Sequence, residues 1–490
     1  SLLLFFGFQS CHQKETALTW NKSFYRIGTQ SSPRATDLNG DGVKDIVLGA
    51  GRAEMAGTKQ GVLALDGSNG EVLWQHPAPA HVVGSATLYD VTGDGVDDVF
   101  IGGRGSFLMA IDGKTGQELW RFVYRYTEDP ILQYTKYNFY NSALTPVVEE
   151  GAQPYLLAVN GGNWNAPAGD SSDRHPGVLM LFNLTSGEIV AADTMPDGQE
   201  SYMSPVCFQQ PGDEQVHIIF GTGGETISGH LYATTLDDLL LGDVSNASIL
   251  VAESGHGFIA PPAVVDLNGD GWYDVVSVSH GGKITATDGR DFSTIWSHWE
   301  VGVESNNVPA IGYFTGDAVP DILVVLDEGI WPAYGKVHQV MLDGRSGKIA
   351  HRDSIGCFVV SSPVVYDIDH DGYDDAIFNT NNFDCRFRYS DDSLSPVEIS
   401  TQLIAFDFRL SRHQIIDESK GFKNIFSTPW IGDLDGDDYL DLIYAECYNP
   451  QDLQRFLGMR LKRISSGIQM RSAPRWGEYG GRDGAGIFQP

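Results

Sequence analysis

Apolar positions along this chain come in short runs rather than in helical stripes. Each run is bounded by clusters of Asp, Asn and Gly, the pattern of strands joined by tight turns. One block recurs: a short strand, then Asp-x-Asn/Asp-x-Asp-Gly-x-x-Asp, then an apolar strand. Asp37-Leu-Asn39-Gly-Asp41-Gly42-Val-Lys-Asp45 runs into Ile46-Val47-Leu48-Gly49, and Asp90-Val-Thr92-Gly-Asp94-Gly95-Val-Asp97-Asp98 runs into Val99-Phe100-Ile101. Further copies start at Asp266, Asp367 and Asp433, and a worn copy surrounds Thr315, Asp317 and Asp321, with Tyr313 in place of the first Asp. Two more units, at Thr145-Pro146-Val147 and Ser204-Pro205-Val206, keep the strands and have lost the acids. The spacing predicts eight units of about 50 to 60 residues each.

A second block follows most copies of the first. Gly61-Val-Leu-Ala-Leu-Asp66-Gly-Ser-Asn-Gly70-Glu-Val-Leu-Trp74 reads as strand, tight turn, strand, and it recurs as Leu108 to Trp120 and Ala286 to Trp296. Weaker copies lie at Leu181 to Val190 and Val340 to Ile349. Each unit therefore supplies four strands, one blade of a propeller. The expected fold is all-β, an eight-bladed β-propeller of four-stranded antiparallel blades over residues 18–465, with seven blades plus an irregular insertion as the second choice. Leu18-Thr19-Trp20 is expected to complete the last blade, whose own unit stops at three strands, so that no sheet edge stays free.

The acidic block resembles the FG-GAP/VCBS repeats of integrin-type propellers. The Asp-Gly-x-x-Gly-x-x-x-Trp block resembles the repeats of pyrroloquinoline-quinone-type propellers. Both resemblances bear on the fold, because propellers of these kinds host adhesins, lectins, lyases, dehydrogenases and scaffolds alike.

The 64 acidic against 32 basic residues give a net charge of −32. That excludes a nucleic-acid partner and electrostatic docking on anionic lipid, and it suits a protein that collects cations. Five acidic loops carry the residues for it: Asp37/Asn39/Asp41/Asp45, Asp90/Thr92/Asp94/Asp98, Asp266/Asn268/Asp270/Asp274, Asp367/Asp369/Asp371/Asp375 and Asp433/Asp435/Asp437/Asp441. Ca²⁺ takes about six to eight oxygens, and acids at positions 1, 3 and 5 can converge where Gly at position 6 allows a sharp turn. Position 12 holds Leu48, Ile101, Ser277, Phe378 or Tyr444 instead of Glu, which excludes an EF-hand. About five structural Ca²⁺ sites are expected, set against plain Asx-Gly turns.

Ser1 to Phe8 is apolar and leads to Gln9-Ser10-Cys11, too short to span a bilayer. Residues 1–11 read as the end of a signal peptide, with Cys11 resembling the lipidated cysteine of a bacterial lipobox, although Phe8 stands where Leu is usual. The expectation is an exported protein, anchored by lipid at Cys11 on the outer membrane or cell surface, or else periplasmic or secreted. Cys207, Cys357, Cys385 and Cys447 fit no zinc spacing; buried free thiols are expected, with one bridge among the last three as the alternative.

Acidic loops and Asp-Gly turns share one face of such a propeller, which leaves the long connections on the other. These carry Tyr126, Tyr137, Trp164, Trp331, Tyr334 and Arg386, a face suited to stacking on sugar rings or to a protein partner. His81, His175, His256 and His280 lie near strand ends, where a structural histidine is commoner than a catalytic one. No nucleophile elbow, zinc-binding His-Glu-x-x-His or phosphate loop occurs. Neither adjacent cysteines nor Cys-x-x-Cys-His occurs, against a quinoprotein dehydrogenase. The expected function is a Ca²⁺-binding surface module for a glycan or a partner protein. The alternative is a Ca²⁺-dependent polysaccharide lyase or hydrolase on the same face. Residues 466–490, rich in Gly and aromatics, are expected to clasp the ring, with a docking peptide as the alternative.

Overall fold

A computed structural model describes residues 16–147, 151–163, 174–331, 333–385, 398–449 and 455–489. Its strands form eight antiparallel sheets around a central channel, an eight-bladed β-propeller with almost no helix. Blade 1 runs through Arg34–Thr36, Asp45–Gly49, Thr58–Leu65 and Val72–Ala78, each strand beside the next. The second strands are fully buried in sequence runs such as Asp45–Gly49 and Asp98–Gly103, because both faces of a blade are covered by its neighbours. In blades 3 and 6 the innermost strand is broken in two.

The ring closes as the sequence requires. Ala17–Tyr25 pairs antiparallel with Gly458–Gln469, from Ala17 opposite Ser465 to Tyr25 opposite Gly458. The first and last segments of the propeller thus share blade 8, and its outer edge is a strand from the other end of the chain.

The second sequence block has a physical use between blades. Nε1 of Trp20, Trp74, Trp120 and Trp296 donates to a carbonyl in the turn of the following blade, namely Gly67, Gly113, Leu184 and Gly344, at 2.6–2.8 Å. The indole lies flat on a glycine of that turn. At Gly116, where φ is +71°, an added Cβ would stand 2.7 Å from the Trp74 ring. The turn therefore needs Gly twice over, for the backbone angle and for the ring.

Two of the expected free thiols are joined: Cys357 and Cys385 form a disulfide, while Cys207 and Cys447 are free and buried. The spacing of the cysteines in sequence gives no hint of it, because the two meet across a connection of blade 7.

Residues 471–489 lie across the channel on the acidic-loop side. Val365 N donates to Trp476 O, Ile431 N to Gly477 O and Val264 N to Gly486 O, so the tail bonds to the innermost strands of three blades. Trp476 and Phe488 are wholly buried, and Arg34 clamps the tail through Glu478 at 2.8 Å and Tyr479 O at 2.9 Å.

Candidate functional site: the central cavity and the acidic loops

The tail turns the channel into a cup. On the side away from the acidic loops opens a cavity of about 310 Å³, with Tyr479 of the tail at its floor. Tyr334 sits near the start of the strand Ala333–Leu342, Tyr140, Asn141 and Asn306 lie in the breaks of the innermost strands of blades 3 and 6, and the other lining residues come from connections between strands two and three or between blades. These are the connections that the strand order leaves on this face, and they come from all around the ring. A separate cavity of about 380 Å³ lies against the tail, lined by Arg34, Lys44, Asp97 and Glu478.

The cavity has two unlike walls. Trp331, Tyr334, Phe358 and Phe426, with Ile259 and Val360, make the apolar one. Tyr334 stacks on Phe358 with ring centroids 4.6 Å apart, and Trp331, still 36% exposed, stands 5.8 Å from each. Glu304 fixes the hairpin that carries them: it accepts from Tyr334 Oη at 2.5 Å and Trp331 N at 3.1 Å, and pairs with His280 at 3.3 Å. Burial works to raise the Glu304 carboxyl, but the bonds from His280, Tyr334 and Trp331 bring it below its ordinary value. Asp327, beside it in the ladder, is driven well above the ordinary carboxylate range by burial, with the Glu304 charge adding to it and the bond from Val359 N opposing it. The disulfide at Cys357 pins the chain next to Phe358.

The polar wall centres on Arg104, which donates to Tyr140 Oη at 3.1 Å and pairs with Glu54 at 3.0 Å. Tyr202 joins it, donating to Glu200 at 3.1 Å; Arg174 meets Glu200 at 2.5 Å and Tyr202 Oη at 2.8 Å. Burial raises both tyrosine hydroxyls, so they remain hydrogen-bonding phenols at any ordinary pH. Glu225 lines the cavity in an exposed loop whose carbonyl meets His256 Nδ1 at 2.7 Å.

Of the six aromatic and basic residues expected on this face, Trp331 and Tyr334 line the cavity. Tyr126 stacks on Phe122 of its own connection at 6.1 Å, and Tyr137 is buried with its ring 6.0 Å from His175 of the next one; neither is among the lining residues. Trp164 and Arg386 lie outside the described residues, as does Cys11. Sequence reasoning missed Arg104 and Glu225. Each follows paired glycines at the end of a second strand (Gly102-Gly103-Arg104, Gly223-Gly224-Glu225), a charged residue beside a sharp bend that is legible once noticed. Of the histidines, His81 is wholly buried, and none of the four is among the lining residues.

The acidic loops lie at the other end of the blades, and most of their oxygens already have partners. The first Asp accepts backbone N–H groups of the turn: Asp37 from Gly40 and Gly42, Asp90 from Gly93 and Gly95, Asp266 from Gly269 and Gly271, Asp433 from Gly436, and Asp367 from Gly372. Asn39, Asn268 and Asp369 accept the N–H two residues on, while Thr92 Oγ1 leans on Asp90 at 3.4 Å. Asp41, Asp94, Asp270, Asp371 and Asp437 do the same at the fifth position. The ninth Asp is a brace within the blade. Asp45, Asp98 and Asp274 accept from their own loop and from the Asp-Gly turn, at Gly67, Gly113 and Gly289, while Asp375 and Asp441 are bonded to Ile368 N and Leu434 N. Burial pushes Asp45 and Asp274 up to about 6 and Asp375 to about 8.

Oxygen-rich loops suit a hard cation. Carboxylate oxygens of Asp367, Asp369 and Asp375 lie within 4.8 Å of one another, as do those of Asp433, Asp435 and Asp441. Basic side chains compete, however. Lys114 reaches Asp94 at 3.3 Å, Arg290 reaches Asp270 at 3.2 Å and Arg409 reaches Asp371 at 2.7 Å, each about half exposed. In the loop of blade 1 no such pair to Asp37 or Asp41 occurs among the described residues. In blade 8 the buried guanidinium of Arg463 lies within the group, 2.5 Å from Asp435 and 2.8 Å from Asp441.

Fold and cup together define an eight-bladed propeller with a central cavity closed at one end by the tail. Residues 33–199, the first three blades, match a PQQ-type family model described as outer membrane protein assembly factor BamB. This agrees with the resemblance seen in the Asp-Gly-Trp block, and the likeness to FG-GAP/VCBS loops stays a reading of the residues. No sequence among the curated proteins matches the chain. Among solved structures, rhamnogalacturonan lyase YesW is similar at a TM-score of 0.54 and 13% identity, over 92% of this chain and 73% of that one. A europium-containing methanol dehydrogenase is similar at 0.54 and 12%, over 92% and 93%. So is quinohemoprotein alcohol dehydrogenase ADHIIG from Pseudomonas putida HK5, at 0.55 and 11%, over 93% and 78%. At these identities the likeness shows the fold alone. No helix among the described residues is long and apolar enough to cross a membrane.

Proposed function

We propose that this propeller is an exported binding module whose cup takes a carbohydrate ligand end-on. The observation that carries the reading is the cavity itself: an aromatic wall ending in the exposed face of Trp331, opposite a hydrogen-bonded wall and closed at the floor by the tail. Sugar rings offer an apolar face for Trp331 and hydroxyls for Tyr140, Tyr202 and Asn141. The charges nearby favour a neutral or amine-bearing sugar over an acidic one, since Arg104 is already paired with Glu54 and Glu225 adds a carboxylate. The Cys357–Cys385 bridge supports export to an oxidising compartment. The family match over the first three blades supports the periplasm or the outer membrane, and lipid attachment at Cys11 belongs to the same proposal. We assign Ca²⁺, as a structural ion, to the loops of blades 1, 2, 5 and 7.

A protein partner is the second reading, favoured by one observation. Trp299, Val301, Ile330 and Trp331 are exposed on this face, and Gly329 N donates to Gly302 O at 2.9 Å, which brings the two stretches together. A patch of this kind marks an interaction surface. Lyase or hydrolase activity is the remaining alternative. Incubating the protein with neutral, amine-bearing and acidic polysaccharides, with Ca²⁺ or with chelator, separates the three. Retention without new chain ends is expected. New chain ends would make it an enzyme, and failure on every polymer would leave the protein-binding reading.

A further inference from the structure

Blade 8 departs from the other acidic blades at one register position. Counting along the ladders, the third-strand residue opposite Ile46's neighbour Val47 is Ala64, and the matching residues are Ala110 in blade 2, Ala286 in blade 5 and Ala405 in blade 7. In blade 8 the same slot, opposite Ile443, holds Arg463. Its guanidinium is 5% exposed and is fully engaged. Nη2 donates to Asp435 at 2.5 Å and to Asp441 at 2.8 Å, Nε reaches Asp441 at 3.3 Å, and Nη1 donates to Gly67 O of blade 1 at 3.1 Å. Gly67 O also receives the indole of Trp20 from the closing strand.

We propose that Arg463 is a built-in cation that takes the place of a metal ion in the loop of blade 8, and that it latches the seam between the last blade and the first. A planar guanidinium suits two carboxylates and a carbonyl at once, which a lysine's point charge does not. The seam is where such a replacement matters. Blades 1 to 7 are each built from one continuous stretch of chain, whereas blade 8 takes its outermost strand, Ala17–Tyr25, from the other end of the chain and pairs it with Gly458–Gln469. An ion lost there would let the ring open, and a side chain cannot be chelated away. The basic partners in blades 2, 5 and 7 differ in kind, being about half exposed and free to yield to an ion.

The test uses the full chain, with calcium counted after dialysis and the seam probed by limited proteolysis. Asp435→Asn is expected to leave the calcium count unchanged, and the wild-type seam is expected to resist protease equally in calcium and in chelator. Arg463→Ala, which copies the other blades, should give a seam protected by calcium and cut on the order of a hundredfold faster in chelator. Arg463→Lys should fall between, so a failure of the alanine variant to fold even with calcium still supports the latch if the lysine variant folds with a weakened seam. A calcium lost with Asp435→Asn, a wild-type seam that opens in chelator, or an Arg463→Ala seam as resistant as wild type in chelator would each overturn the proposal. If the wild-type chain takes up no calcium at all, the calcium reading of the other loops fails, and the seam comparison between wild type and Arg463→Lys still decides the latch.

Discussion

His81 is wholly buried beside Gly51, and neither ring nitrogen has a hydrogen-bond partner among the described residues. Burial, with the Arg104 charge adding to it, holds its pKa down to about 3. The unfolded chain takes up a proton below about pH 6.5, which the folded one refuses. Stability from this residue is therefore complete above that pH and falls as the pH drops toward 3, by about 1.4 kcal/mol per pH unit. Asp45, Asp274 and Asp375 act in the opposite sense, because burial raises them and the folded state gains protons first. Urea unfolding of wild type and His81→Leu between pH 4 and 7 (roughly the range that matters) isolates the histidine. The variant is expected to lose less stability on acidification, and parallel curves would show that His81 is solvated or paired.

At the scale of the blade, the repeated Asp-Gly-Trp block holds one blade to the next. Gly116→Ala would force a Cβ into the Trp74 ring at a φ of +71°, and it should cost about 1–3 kcal/mol, read as a lower Tm. Trp74→Phe keeps the apolar face and loses the bond to Gly113 O, at about 1–2 kcal/mol. A Tm unchanged in both variants would mean that the interlock contributes nothing. This block and the acidic loops were legible because each recurs in sequence with its spacing intact, and recurrence is what made the ring, its eight blades and its closing strand readable. Tyr126 and Tyr137 could not be placed from sequence for a related reason: an aromatic-rich connection looks the same whether its rings line a cavity or, as these do, lie against Phe122 and His175.

For the whole molecule, the cup was not legible, because its wall is assembled from single residues of many separate connections around the ring. Gln30 and Phe426 lie almost a full circuit apart in sequence and share one cavity. Nor could the sequence show that Glu225 would stand in the same cavity as Trp331, or that Tyr479 would close the floor. Arg463 was hidden for another reason, since only the strand register reveals that it occupies an alanine's position. At one end the Asp-Gly turns bind blade to blade and the tail lies across the channel, while the cup proposed to bind a ligand opens on the opposite face.

The most direct test of this account is calorimetric titration of wild type and Trp331→Ala with the neutral or amine-bearing oligosaccharide that the wild type retains best. Affinity is expected to fall about tenfold or more in the variant, with Tm unchanged, as removal of a stacking face requires. Equal affinity in the two proteins would contradict the cup as the binding site.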